Sequence, residues 1–291
     1  MKLCRFNNDR LGYIEGDIVY DVTAALGSIP PVRWPFPSGD PFIENNQRIC
    51  DAVRKENKSA ATTFKLSDVS LQSFLTSPSK IMAAPANYRA HVEQDTKDPE
   101  VDAGVHAKAL EGIERPAETY GLFLKATSSI VGPSEGVRIT CPDRRTDYEV
   151  ELAVIIGKKC RNIERDEAMS YVAGYCIGLD MTVRGSEDRS FRKSPDTYTV
   201  LGPAFVTADE IADPHGLTLS LWLNDERRQH SSTGLMTVDI PDLIALASKM
   251  YTLHPGDVIL TGTPEGVGSI KPGDIIKAEC TNLGSMSFAV S

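Results

Sequence analysis

Residues 144–157, RRTDYEVELAVIIG, read as a buried strand, yet Glu149 and Glu151 stand where such a strand should be apolar. Successive strand side chains point to opposite faces, so Glu149 and Glu151 share one face while Tyr148, Val150, Leu152 and Val154 share the other. Same-face carboxylates two positions apart lie within roughly 7 Å of each other. In a poorly solvated place they repel, and one is driven to take a proton unless a cation holds both. A hard divalent ion is the natural cation, and two or three carboxylates with waters are the usual provision for magnesium or manganese. Asp180, closing the apolar run YVAGYCIGLD, offers a third acid. An edge strand with a wet outer face explains the spacing equally well, and spacing alone leaves both readings open.

The surrounding chain is rich in short strand-like runs. From Ile81 onward LFLKATSSIV, YEVELAVII, YVAGYCIGLDM, AFVT, LTLSLWLN, DVILTGT and DIIKAEC are separated by Gly, Pro, Asn and Asp clusters, and helical pattern is confined mainly to Glu164–Tyr171 and Ile240–Met250. This predicts a β-rich α+β fold, a sandwich or roll. Residues 1–79 form a smaller leading unit: two strands around the turn Glu15-Gly16-Asp17, a Pro-rich stretch, and a polar helix near Ile43–Lys55. Residues 80–291 then form the larger domain. The turns Pro255-Gly256-Asp257 and Pro272-Gly273-Asp274 each feed a strand.

A formal charge of −9 argues against nucleic acid or an anionic membrane as partner. The six cysteines lack a C-x-x-C pair, the N-terminus lacks an apolar signal core, and no apolar run is long enough to span a bilayer, so a cytoplasmic protein with reduced thiols is expected. Two motifs mislead. GPSEG, residues 132–136, has the spacing of a nucleophile elbow but is followed by a strand and a proline where the elbow needs a helix. GTPEGVG is no nucleotide loop, because Lys271 replaces the last glycine; a turn bringing backbone close to a ligand remains.

The stretches DYEVELAVIIGK, GLDMTVR, RKSPDTYTVLGPAFVT, YTLHPGDVILTGTPEGVG and KPGD occur in the order that resembles the fumarylacetoacetate hydrolase superfamily, over about residue 81 to the C-terminus. The segment GYIEGDIVYDVTAAL resembles that family's small leading unit. The resemblance implies the family's C-terminal-domain fold and a homodimer. It also implies a magnesium or manganese ion on Glu149, Glu151 and Asp180, and a small oxo acid as substrate. NYRAHVEQ is similar to the family's N-Y-x-x-H segment, which makes His91 the expected base and places Tyr88 at the substrate. The family often pairs this histidine with a glutamate three positions on. Gln94 stands there, so three readings stay open: Glu93 assists instead, another acid replaces it, or the reaction uses no attacking water. The polar stretch DTKDPEVDAGVHAKALEGIERPAETYG, expected as a mobile lid, supplies His106, Glu111 and Glu114 as further acids and bases.

Lys193 is expected to stabilise the enolate or carboxylate, and Arg184 to clamp a substrate acid. Thr263 and Lys125 are expected to line the same pocket. Glu187 occupies a place where many relatives carry a substrate-binding glutamine, and Pro195 one where an aromatic is common. An acid at Glu187 repels a substrate carboxylate unless it is paired, with Arg189 or Arg192 as partners. The expected activity is hydrolysis of a C–C bond in an acylpyruvate-like β-diketo acid. The alternatives are decarboxylation or tautomerisation of an oxo acid, and a metal-binding protein with impaired catalysis.

Overall fold

The computed structural model describes residues 1–97 and 112–291. Its spine is a twelve-stranded mixed sheet, with a three-stranded and a four-stranded sheet packed around it, a sheet-rich α+β architecture. At its centre Val150–Ile156 lies between Val172–Asp180 and Val258–Leu260, antiparallel to both. All seven residues of Val150–Ile156 are buried. Val150, Leu152, Val154 and Ile156 pack into the larger core, whereas Ala153 and Ile155 pack into a second core shared with the N-terminal segment. Burying each large aliphatic side chain contributes about 1.5–3 kcal/mol, so both faces of this strand are fixed by packing.

The N-terminal residues join the same sheet. Lys2–Phe6 pairs with Thr199–Thr207 through Leu3 opposite Phe205, and Arg10–Glu15, Ile18–Asp21 and Thr63–Lys65 extend it outward. The helical expectation near residues 43–55 corresponds to helices Pro41–Glu44 and Asn46–Lys55, the first capped by the Asp40 carboxylate. Ile240–Met250 is a helix capped by Asp239, and Arg165–Tyr171 is a 3-10 turn. Both Pro-Gly-Asp turns form, with Gly256 at φ +86° and Gly273 at φ +92°. In GPSEG, Ser134 accepts the Leu71 N–H at 2.7 Å within a 3-10 turn. All six cysteines are free thiols, and among the described residues no helix is long and apolar enough to cross a membrane.

One sequence expectation needs correction. The stretch from Tyr148 to Val154 is not one strand: Thr146–Tyr148 belongs to the three-stranded sheet with Thr182–Val183 and Gly268–Ser269, and the ladder breaks at Glu149. Glu149 itself still meets the neighbouring strand through its backbone, while its side chain reaches the three-stranded sheet. Its carbonyl accepts the Asp180 N–H at 2.9 Å, and its carboxylate accepts the Thr182 hydroxyl at 2.8 Å.

Candidate metal centre

The sheet register assembles the three acids. Glu151 lies opposite Gly178, and the Asp180–Glu149 backbone bond places those two residues opposite each other one step further on. Directly opposed residues of an antiparallel pair project to one face, so Glu149, Glu151 and Asp180 converge there. A Cβ at Gly178 would lie 2.6 Å from Leu260 Cδ2, so a larger residue at this crossing would have to push that side chain aside. One oxygen from each acid lies within 4.8 Å of the others, and all three side chains are buried.

Two lysines partly neutralise the acids. Lys193 Nζ donates to Glu149 Oε2 at 2.6 Å and to Asp180 Oδ2 at 2.7 Å. Lys125 Nζ donates to Asp180 Oδ1 and, at 2.8 Å, to the Tyr198 carbonyl. Burial works against charge on Lys193, but Asp180 and Glu149 outweigh it and raise its pKa; for Lys125 burial prevails and lowers it. Burial also pushes the Glu149 carboxyl up, yet Lys193, Arg184 and His91 hold it down at about 2. Glu151 differs. It accepts the Gly262 N–H at 2.6 Å but has no ion-pair partner among the described residues. Burial and the Asp180 and Glu149 charges push its carboxyl well above the usual carboxylate range.

The donor set fits a hard divalent ion. Three buried carboxylates face two ammonium groups, and the acid left without a cation is the one whose ionisation is most disfavoured. The Tyr88 hydroxyl is buried with no hydrogen-bond partner among the described residues, and its pKa is raised by burial and by the Glu151 charge. It is therefore an unused donor beside the cage.

His91 lies on the helix Arg89–Asp95, buried and close enough to Glu149 to influence its ionisation. Asn87 anchors the start of that helix: its amide donates to the Val238 and Thr261 carbonyls at 2.9 and 2.8 Å and accepts the Val238 N–H at 2.8 Å. Glu93 is exposed on this helix and is not brought to the acids. Gln94 instead binds the glycine-rich loop, accepting the Gly266 N–H at 2.5 Å and donating to the Val267 carbonyl at 3.0 Å. Of the expected lid groups, His106 and Glu111 lie outside the described residues, and Glu114 is exposed.

The remaining expected residues are engaged in ways the sequence did not show. Arg184 Nε pairs with buried Asp147 at 2.7 Å, which Arg145 Nε also meets at 2.7 Å, while Arg184 Nη2 lies 3.8 Å from Glu149 Oε1. Thr263 donates to the Val150 carbonyl at 2.9 Å and accepts from Gln229 at 2.9 Å, so its hydroxyl braces the strand between the two glutamates. Glu187 forms a two-pronged pair with Arg144, at 2.9 and 2.7 Å, rather than with Arg189 or Arg192. Arg192 donates to the Glu187 and Val183 carbonyls. Sequence reasoning missed Thr182, Gly262, Gln229 and Asp147, whose partners are distant in the chain.

The family described as fumarylacetoacetate hydrolase C-terminal matches residues 80–291. The maleylpyruvate hydrolase of Aquipseudomonas alcaligenes is 48% identical over 290 residues, covering 100% of this chain and 99% of that protein. An oxaloacetate tautomerase of Xenopus laevis is 36% identical, covering 86% of this chain and 77% of its own. The crystal structure of maleylpyruvate hydrolase from Sphingobium sp. SYK-6 in complex with manganese and pyruvate superposes with a TM-score of 0.81 at 37% identity, covering 100% of this chain and 98% of that one. The chain belongs to the fumarylacetoacetate hydrolase family.

Proposed function

We propose that the protein is a divalent-metal-dependent hydrolase that cleaves the C–C bond of an acylpyruvate, releasing pyruvate and a carboxylic acid. The observation that carries this reading is the buried cage of Glu149, Glu151 and Asp180 with Lys193 bridging two of its acids. The similarity to maleylpyruvate hydrolases, one of them solved with manganese and pyruvate, supports it.

Glu149, Glu151 and Asp180 would hold magnesium or manganese, which, when bound, supplies Lewis acidity and a template for the oxo-acid end of the substrate. Lys193 has three N–H donors and uses two on the acids, so the third serves the enolate that develops as the bond breaks. His91 takes the proton of the attacking water, whose oxygen joins the acyl carbon; the electron pair of the broken bond passes to the pyruvate enolate, which is then protonated. Tyr88 supplies its hydroxyl to the substrate. Lys125 and Thr263 act one step back, by orienting Asp180 and Val150.

We also place a boundary near residue 79, where the family match begins, although the sheet runs across it. A homodimer is proposed on the family resemblance. A cytoplasmic location fits the free thiols.

The test is an assay of purified protein with manganese or magnesium against acylpyruvates and oxaloacetate, following enol absorbance and pyruvate release. Chelator-sensitive pyruvate formation is the expected result; no cleavage of any acylpyruvate would sink the reading. The second reading, oxo-acid tautomerisation or decarboxylation, is favoured by one observation: the position three after His91 is a glutamine committed to the 266–267 loop. Oxygen-18 from solvent appearing in a cleaved acid product excludes it as the main reaction.

A further inference from the structure

The cations around the cage are almost all committed to acids or carbonyls of the chain itself. Lys125 and Lys193 serve Asp180 and Glu149, Arg184 and Arg145 serve Asp147, Arg144 serves Glu187, and Arg192 serves the Val183 and Glu187 carbonyls. Arg189 is the exception: among the described residues its guanidinium has no hydrogen-bond or ion-pair partner. It is nevertheless half-buried. Residues 189–192 form one helical turn, begun by the Asp188 carboxylate accepting the Ser190 N–H at 2.8 Å, and the Lys193 N–H closes it on the Arg189 carbonyl at 3.0 Å. Residues four apart on a helical turn lie on one face, so Arg189 stands one turn above Lys193, whose ammonium is in the cage. Phe191, between them, points to solvent and is 71% exposed. Burial lowers the pKa of Arg189, against the opposing influence of Glu149, Tyr120 and Asp188.

We propose that Arg189 is a specificity-determining residue that binds a second, distal carboxylate of the substrate, so that the enzyme prefers acylpyruvates whose acyl group itself ends in a carboxylate. The proposal rests on the acylpyruvase reading of the cage. Charge supports it: three carboxylates, two ammonium groups and a divalent ion leave one positive charge, which the oxo-acid end of the substrate neutralises. Arg189 then holds one more, on a half-buried fork shaped for a carboxylate. A site built for a charged group discriminates strongly against an analogue that lacks it, because its own cation is then left unpaired.

The experiment compares kcat/KM for a carboxylate-ended acylpyruvate and for acetylpyruvate, in wild type, Arg189→Leu and Arg189→Lys. The expected result is that the ratio of the two values falls about 10- to 100-fold in Arg189→Leu, chiefly through KM, and recovers partly in Arg189→Lys. Equal loss on both substrates, or no loss on either, overturns the proposal. If wild type cleaves neither substrate, the acylpyruvase reading itself has failed, and binding decides Arg189 separately. Calorimetry with manganese would compare 2-oxoheptanedioate with 2-oxoheptanoate. A preference for the diacid that Arg189→Leu abolishes supports the assignment, and a preference that the variant retains, or none in wild type, overturns it.

Discussion

The side-chain oxygen of Gln229 accepts the backbone N–H of Val150 at 3.0 Å, so a buried amide from the four-stranded sheet grips the residue lying between the two glutamates of the cage. Its nitrogen donates to Thr263 Oγ1 and the Pro264 carbonyl, both at 2.9 Å. One side chain thus fixes the strand carrying Glu149 and Glu151 to the loop whose Gly262 N–H binds Glu151. Replacing Gln229 with Leu removes that tie and leaves the buried Val150 N–H and Pro264 carbonyl needing partners, at about 1–3 kcal/mol each, while the Thr263 hydroxyl keeps its bond to the Val150 carbonyl. Outer-shell partners of metal ligands typically contribute 10- to 100-fold in affinity. Gln229→Leu is expected to weaken manganese binding by about that factor and to lower Tm; calorimetry and thermal unfolding check both, and unchanged affinity would show that the clamp does not position the acids.

Lys193 separates chemistry from metal holding. Its ammonium neutralises Glu149 and Asp180, so Lys193→Met leaves a more negative cage that still binds a divalent ion. Without metal the variant loses about 3–5 kcal/mol, the cost of breaking a buried pair on one side. The expected outcome is manganese affinity equal to or tighter than wild type, with kcat down about 100-fold or more from loss of the enolate donor. Parallel loss of binding and turnover would instead make Lys193 a structural counter-ion.

Glu151 gives the pH dependence its sign. In the metal-free fold its carboxyl titrates well above the usual range, because of burial and its acidic neighbours. Between the unfolded and the raised folded pKa the native state therefore binds more protons than the unfolded one, so metal-free stability falls as pH rises through that window. A bound ion must displace the proton, so manganese affinity rises with pH over the same window and binding releases protons. Calorimetry in buffers of different ionisation enthalpy reads that release directly, and Glu151→Gln is expected to abolish it while greatly weakening binding.

The acids were legible in the sequence because a carboxylate inside an apolar run is chemically conspicuous, and because Asp180 ends another such run. The break at Glu149 was not: strand periodicity is the same whether Tyr148 and Val150 share a sheet or belong to two, and only Asp180 and Thr182, distant in the chain, decide it. The strand Glu226–Ser232 was missed because its sequence, ERRQHSS, shows water-facing residues and hides its buried Gln229 among polar neighbours. Arg184, Lys125 and Thr263, expected at the substrate, have partners inside the chain, a consequence of pairing across the fold that spacing does not encode.

The base assignment is open to the sharpest test, because His91 and Glu93 are two residues apart and differ in every physical respect. His91 is buried and close to Glu149; Glu93 is exposed, and its own carbonyl accepts the Thr96 hydroxyl at 2.9 Å. General-base catalysis contributes typically 10²- to 10⁴-fold, so His91→Gln should reduce kcat by about that factor while manganese still binds. Glu93→Gln alters an exposed group and should leave kcat within about two-fold, as surface changes away from a site usually do little. A large effect of Glu93→Gln on kcat, with unchanged Tm, would mean that the helix turns on substrate binding to bring this carboxylate to His91. Equal tolerance of both changes would favour a reaction that needs the enolate but no activated water, as expected if Gln94 marks a site tuned for tautomerisation.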